Sequence, residues 1–418
     1  MTVTNALQPQ RTIDELKELR ALTGNEDGAQ RVAFTPTWVA ALDWFKSKLA
    51  DLPVTVETDQ AGNIWATLRG ASDKALLIGG HLDSVPNGGW LDGCLNVVAG
   101  LEILRRFAAE GTPPVTIRLV NWADEEGARW GRSLFGSSAA ANSLIPDDAR
   151  PLVDKDGVRL IDALAAYGLD LDRALESKSQ LTHAAAYIEL HIEQGPVLES
   201  MDLPLGAVLG TCGVERHAIR FTGQAAHSGA TPMNRRRDAL GAAAKFHLAI
   251  REIAVREGGV STVGRLVTHP GIVSSVVAQA DLTLDQRHID ADALARMYAD
   301  ALAAADSFAV EENVGVEWSY IWDIEPIHFH PTLIDFCEQA IIETVGAEVG
   351  SHRLPSGPLH DAAEMARIGI PTVMMFTQSL YGISHNKIED TREEHLLAAV
   401  EAFDRLASRT AAWIAGQG

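Results

Sequence analysis

The chain has 418 residues, 46% hydrophobic and 22% charged, which suits a globular protein of two or three domains, each with its own core. Lysine and arginine number 35 against 56 aspartates and glutamates, a formal net charge of −21, so its surface repels nucleic acid and anionic membranes and excludes both as partners. The longest apolar runs, such as "ALLIGG" and "TVMMF", fall far short of the ~20 residues that a membrane span needs. The opening "MTVTNALQPQRTIDELKELR" lacks a basic-then-apolar leader pattern, which predicts a cytoplasmic protein. Cys94, Cys212 and Cys337, odd in number and scattered, read as reduced thiols.

In chain order, "TIDELKELRALTG" carries Thr12 and Glu15 at capping-box spacing, with Ile13, Leu16 and Leu19 on one helical face. Apolar runs then alternate with amphipathic stretches: "ALLIGG", "LNVVAGLEILRRFAAEG", "VTIRLVNW" and "AAYIEL". That alternation predicts an α/β sheet covered on both faces. Gly79, Gly80, Gly88 and Gly89 read as turn residues. Near residue 212 the texture changes. "RHAIRFTG" is a strand, "RRRDALGAAAKFHLAIREIAVREGG" a helix, and "TVGRLV" and "SVVAQADLTLDQRHI" are strands. The helix "DADALARMYADALAAADSFAVEE" and the strand "GVEWSYIW" complete a β-α-β-β-α-β, ferredoxin-like unit. The predicted organisation is an α/β catalytic domain over 1–211 and 327–418, interrupted by an α+β unit over 212–326.

Four predicted strands run into acids or histidines. "ALLIGG" leads to His81 and Asp83, with Asp92 soon after; "VTIRLVNW" to Glu125 and Glu126; "AAYIEL" to His191 and Gln194; "PTVMMFT" to His385. Beyond the carboxyl ends of such strands lies the usual ligand crevice of an open α/β sheet. A lone histidine after a strand is more often packed or solvated than a ligand, but four polar strand ends in one chain favour metal. His81, Asp92, Glu126, His191 and His385 could hold two divalent ions sharing one carboxylate, with Zn, Mn, Co or Ni suited to such donors. Asp83 is placed to accept the other ring proton of His81. If the chain is extended at Glu125 and Glu126, their side chains point to opposite sides. One then binds metal, and its neighbour is free to act as general base toward water and general acid toward the leaving amine.

Taken in order, "GGHLDSVPNGGWLDG", "DEEGARW", "HIEQGPVLES", "AAHSGATPM", "DQRHID" and "GISHN" resemble the N-carbamoyl-L-amino-acid amidohydrolases. Allantoate amidohydrolases and β-ureidopropionases belong to the same group, within the aminoacylase-type metallopeptidase fold. The resemblance implies two divalent metal ions per subunit, one held by His81, Asp92 and His191 and one by Asp92, Glu126 and His385, with Glu125 as catalytic base. It implies that His227 reaches a neighbouring subunit's active site in a homodimer and polarises the scissile carbonyl there. It also implies that Gln194 and Arg287 bind substrate, Arg287 through the carboxylate of a small molecule. Two stretches depart from the family: Ser274 stands where an asparagine is usual, and "SGPLHDA" places Pro358 and Leu359 before His360 where the loop is usually glycine-rich. A single hydroxyl cannot replace a carboxamide's two-ended hydrogen bonding, and a stiffer loop reshapes the pocket wall that Ser274 and His360 line. The predicted activity is hydrolysis of the ureido amide of N-carbamoyl-L-amino acids or related ureido acids. An aminoacylase or dipeptidase using the same metals is the alternative, and a non-catalytic binding protein on this fold a further one.

Overall fold

The structure, a computed structural model, describes residues 7–417; residues 1–6, part of the stretch read for a leader, and residue 418 lie outside it. The described chain folds as two compact units, one running to Leu209 and resuming at Phe329, the other spanning Gly210–His328.

The first unit is built on a mixed sheet. At its centre Ala75–His81 is buried along its whole length and lies parallel to Thr116–Trp122 on one side and Ala184–Ile192 on the other. Thr372–Thr377 continues the parallel set beyond Ala184–Ile192. Antiparallel strands finish it: Ile64–Leu68 and Thr55–Thr58 at one edge, Leu205–Thr211 next to Thr372–Thr377. Side chains such as Ile78, Leu119, Ile188 and Met374 are fully buried, among helices Cys94–Glu110, Pro331–Val345 and Glu393–Gly416 that contribute Leu101, Ile341 and Phe403. Each such side chain contributes roughly 1.5–3 kcal/mol on burial, so the strand ends are set on a stiff base.

Two local expectations change. Gly79 and Gly80 are strand residues rather than turn residues; a Cβ on Gly79 would sit 2.2 Å from the Tyr187 hydroxyl, so the glycine makes room for that ring. The first helix starts at Pro9, before the expected capping box. Thr12 and Glu15 therefore lie inside it, and Glu15 takes a two-point contact from Arg105 at 2.8 and 2.9 Å. The same helix is tied to Cys94–Glu110 by Glu102, wholly buried, which accepts from Arg11 at 2.7 and 2.9 Å and from the Gln8 N–H at 2.6 Å.

The second unit has strand order Val260–His269, Gln279–His288, Gly213–Thr222, Gly315–Ile324, all antiparallel, with helices Ala239–Glu257 and Ala291–Glu311. Phe221, Phe246, Leu282 and Leu284 form its core. The first helix begins only at Ala239, because Asp238 caps it by accepting the Leu240 N–H at 3.1 Å, and the preceding arginines stay outside. The third strand begins at Gln279, not at Ser275: Val276 donates to the Ala226 carbonyl at 2.8 Å, and Ser275 bridges to His227 instead. The unit starts and ends side by side, Gly210 opposite His328 and Thr211 opposite Ile327. In the first unit the flanking Phe329 N–H donates to the Leu209 carbonyl at 3.0 Å.

Candidate metal centre

Parallel pairing brings the carboxyl ends of the central strands level, with His81 opposite Trp122 and Phe376 opposite His191. The His81 and His191 rings stack with centroids 6.1 Å apart. His81 directs Nδ1 at the Asp83 carbonyl (3.1 Å) and His191 directs Nδ1 at the Ile192 carbonyl (2.8 Å). With Nδ1–H donated in this way, both rings turn a bare Nε2 to the same space. Asp92 ends the turn that feeds Cys94–Glu110. Gly93 follows it at φ +64°, where a Cβ would meet the His81 ring at 2.3 Å, so only glycine lets this turn close on the imidazole.

Asp92 faces two ways. Its Oδ1 is 3.2 Å from His191 Nε2 and 3.6 Å from His81 Nε2, while Oδ2 is 3.6 Å from His385 Nε2. His385 Nε2 in turn lies 3.3 Å from Glu126 Oε2. Two groups result, His81–Asp92–His191 and Asp92–Glu126–His385, each with ligand atoms within 4.8 Å of one another. His81 Nε2 and Glu126 Oε1 are buried without a hydrogen-bond partner among the described residues. An unmet buried polar atom costs about 1–3 kcal/mol, a cost that a cation would remove. Imidazoles with a carboxylate on one side, and one imidazole with two carboxylates on the other, fit a pair of divalent cations. Burial opposes the charge on Asp92, but the His191 and His81 imidazoles, in their protonated form, still hold its carboxyl well below the usual range.

The neighbouring glutamates separate, but not because the chain is extended. Residues 123–126 form a bend, and Asp124 sits at φ +53°. Asp83 holds this bend: its carboxylate accepts the N–H of Glu125 at 3.3 Å and of Glu126 at 3.2 Å. That corrects the expected role of Asp83, whose carbonyl, not its carboxylate (3.8 Å away), is the hydrogen-bond partner of the His81 ring. Glu126 joins a ligand group; Glu125 belongs to neither, with Oε2 3.6 Å from His81 Nε2. Burial pushes the carboxyl groups of both well above the usual range, Glu125 further helped by Asp361 and Glu126, and Glu126 by Asp92. A carboxylate so placed is suited to holding a proton.

Gln194, at φ +59°, donates from Nε2 to Asp92 Oδ2 at 2.7 Å. His360 is buried with its ring 4.4 Å from that of His191, and its Nε2–H reaches Ser356 Oγ at 3.0 Å, whose own hydrogen goes to the Pro358 carbonyl. Burial, then His191, hold His360 well below the ordinary imidazole range. The remaining three residues lie in the second unit. Exposed His227 accepts the N–H of Gly229 (3.1 Å) and Ala230 (3.2 Å) at Nδ1, which leaves the ring proton on Nε2. Ser274 is exposed and its carbonyl accepts the Ser228 N–H at 3.0 Å. Arg287 turns its fork on Asp285, Nε at 2.8 Å and Nη2 at 3.2 Å.

Sequence reasoning passed over several residues here. Glu189 is fully buried, accepts from Tyr187 at 2.8 Å and from the Ala362 N–H at 3.0 Å, and acts electrostatically on His191. Its place two residues before His191, on the same side of the strand, was the available signal. Ser384 and Glu389 flank His385 and join it to Asp92. Asp361, next to His360, is buried beside Glu189 and acts on the charge of Glu125.

The sequence model of the peptidase family M20/M25/M40 matches residues 77–409. An N-carbamoyl-L-amino acid amidohydrolase of Geobacillus stearothermophilus is 35% identical over 90% of this chain and 92% of its own. An allantoate amidohydrolase of Escherichia coli K12 is 32% identical over 90% and 91%. The crystal structure of an amidase of the hydantoinase/carbamoylase family from Burkholderia phymatum is 32% identical, covers 98% of both chains and superposes with a TM-score of 0.87. With that coverage in sequence and in structure, the chain belongs to the peptidase family M20/M25/M40, beside its amidohydrolases, and is a hydrolase of carbon–nitrogen bonds.

Proposed function

We propose that the protein is a dinuclear-metal amidohydrolase that cleaves the ureido amide of an N-carbamoyl-L-amino acid or a related ureido acid. The products are the amino acid, carbon dioxide and ammonia. One observation carries the reading: Asp92 is shared by two ligand groups, and Glu125 stands beside them in neither. His81, Asp92 and His191 would hold one divalent ion, and Asp92, Glu126 and His385 the other, with Zn, Mn, Co or Ni as candidates. Such a pair, when bound, supplies Lewis acidity toward water and the scissile carbonyl. Glu125 takes a proton from the attacking water and returns it to the leaving nitrogen as the C–N bond breaks. The carbamate released with the amino acid then falls to carbon dioxide and ammonia.

In this reading His227 gives its Nε2–H to the carbonyl oxygen in the site of a second subunit, and Arg287 binds the substrate carboxylate with its planar fork. Gln194, Ser274 and His360 are the further candidate substrate contacts. The names of the two curated relatives support the ureido substrate. Homodimerisation through the second unit is supported by exposed Leu248, Val255 and Val260 on helix Ala239–Glu257 and the sheet-edge strand Val260–His269. Three free, buried cysteines support a reducing, cytoplasmic setting. Among the described residues no helix is long and apolar enough to cross a membrane.

The test is a panel of N-carbamoyl-L-amino acids, allantoate, β-ureidopropionate, N-acyl amino acids and dipeptides, assayed with metal-loaded protein. N-carbamoyl-L-amino acids should turn over fastest; preference for N-acyl amino acids or dipeptides would replace this reading with an aminoacylase or dipeptidase.

A further inference from the structure

Glu389 is 2% exposed and belongs to neither ligand group, yet it touches both loops that carry ligands. Its Oε1 accepts the backbone N–H of Leu91 and of Asp92, each at 3.1 Å. Its Oε2 lies 2.8 Å from Ser384 Oγ, and the same hydroxyl lies 2.9 Å from Asp92 Oδ2. Ser384 directly precedes His385, whose side chain is half exposed and whose backbone sits at φ +54°. One carboxyl group thus fixes the main chain of Asp92 and, through Ser384, reaches the Asp92 carboxylate and the residue next to His385.

We propose that Glu389 is a positioning residue that locks the Asp92 turn to the His385 loop, so that one carboxylate can face two cations. The proposal rests on the metal-pair reading above. A purely structural part is a poor account of this group, because burying a second carboxyl against Asp92 opposes folding unless its hydrogen bonds are needed where they are. Room has also been made for it. A Cβ on Gly89 would lie 2.0 Å from Glu389 Cδ, so Glu389 occupies the space that a side chain at Gly89 would take. A second strap runs beside it, Trp90 Nε1–H to Asp390 Oδ1 at 3.2 Å.

The experiment titrates metal-stripped full-length protein with zinc or manganese alone and reads ions bound per chain by elemental analysis, with stepwise affinities. Wild type should bind two ions. Glu389→Ala should weaken metal affinity by about 10–100-fold, chiefly at the Asp92–Glu126–His385 group, the range typical when a partner behind a ligand is lost. Glu389→Gln should stay near wild type, since its carboxamide oxygen accepts the same two N–H groups and its NH₂ can face Ser384. Gly89→Ala should weaken metal binding as Glu389→Ala does, although it alters no hydrogen-bonding group. Wild-type affinity in Glu389→Ala or in Gly89→Ala, or an equal loss in Glu389→Gln and Glu389→Ala, would overturn the proposal alone. A wild type that binds no ion would overturn the metal pair itself and the proposal with it.

Discussion

Asp92 and Glu125 both stand 3.6 Å from His81 Nε2, yet Asp92 is shared by two ligand groups and Glu125 is in none. The same asymmetry separates Glu125 from its neighbour Glu126. Glu125→Gln is expected to keep both ions and lose on the order of 10²–10⁴ in rate, as when a general base is removed. Glu126→Gln should instead lose ion occupancy. Elemental analysis beside steady-state kinetics distinguishes the two, and equal metal loss in both variants would refute the division of labour.

Removal of metal should abolish turnover, because buried His81 Nε2 and Glu126 Oε1 have no hydrogen-bond partner among the described residues. Dialysis against a chelator, then addition of Mn, Co, Ni or Zn, should restore activity as occupancy approaches two ions per chain. Undiminished turnover by protein shown to be metal-free would rule the mechanism out.

Arg287 is held as a planar fork by Asp285. Arg287→Lys keeps the charge but not the fork, so KM should rise strongly while metal content is unchanged. Esters or amides of the substrate, with the carboxylate masked, should be poor. If they matched the free acid, Arg287 would have another role.

Because His227 carries its proton on Nε2 and lies exposed in the second unit, mixing His227→Ala with Glu125→Gln should regenerate some active sites in a homodimer. Those sites would combine a good base from one chain with a good His227 from the other. Absence of recovered activity, once subunit exchange has been demonstrated by mass, would count against a shared site.

Away from the site, Glu102→Ala leaves Arg11 and the Gln8 N–H without their buried partner, while Arg105 keeps Glu15. Arg11 is 34% exposed and can rehydrate, so the expected loss is about 1–3 kcal/mol, measured by urea unfolding.

The chain made its strand ends readable because buried parallel strands are continuous apolar runs that stop abruptly at polar residues, as "ALLIGGH" and "TIRLVNW" do. The second unit was readable from its alternation of elements, but not its boundaries, since Asp238 as a cap and the Ser275–His227 bridge decide where elements begin. Local spacing misled at Thr12 and Glu15, where Pro9 starts the helix a turn early. The atom-level roles of Asp83 and Glu389 were not legible at all. Both act through backbone groups distant in sequence, and no side-chain pattern records which main-chain N–H a carboxylate will meet.

The pairing of Gly210 with His328, and of Leu209 with Phe329 just outside, leaves the two chain crossings between the units adjacent. A segment entered and left at one point can be exchanged as a cassette, much as inserted domains are gained and lost. Swapping Gly210–His328 for the matching stretch of a relative would alter His227, Ser274 and Arg287 together while leaving every metal-ligand candidate in place. In the proposed reading, Arg287 and the metal-ligand candidates thus lie in separable stretches of this polypeptide; a chimera can inherit them from different parents, while Gln194 and His360 stay with the ligand candidates.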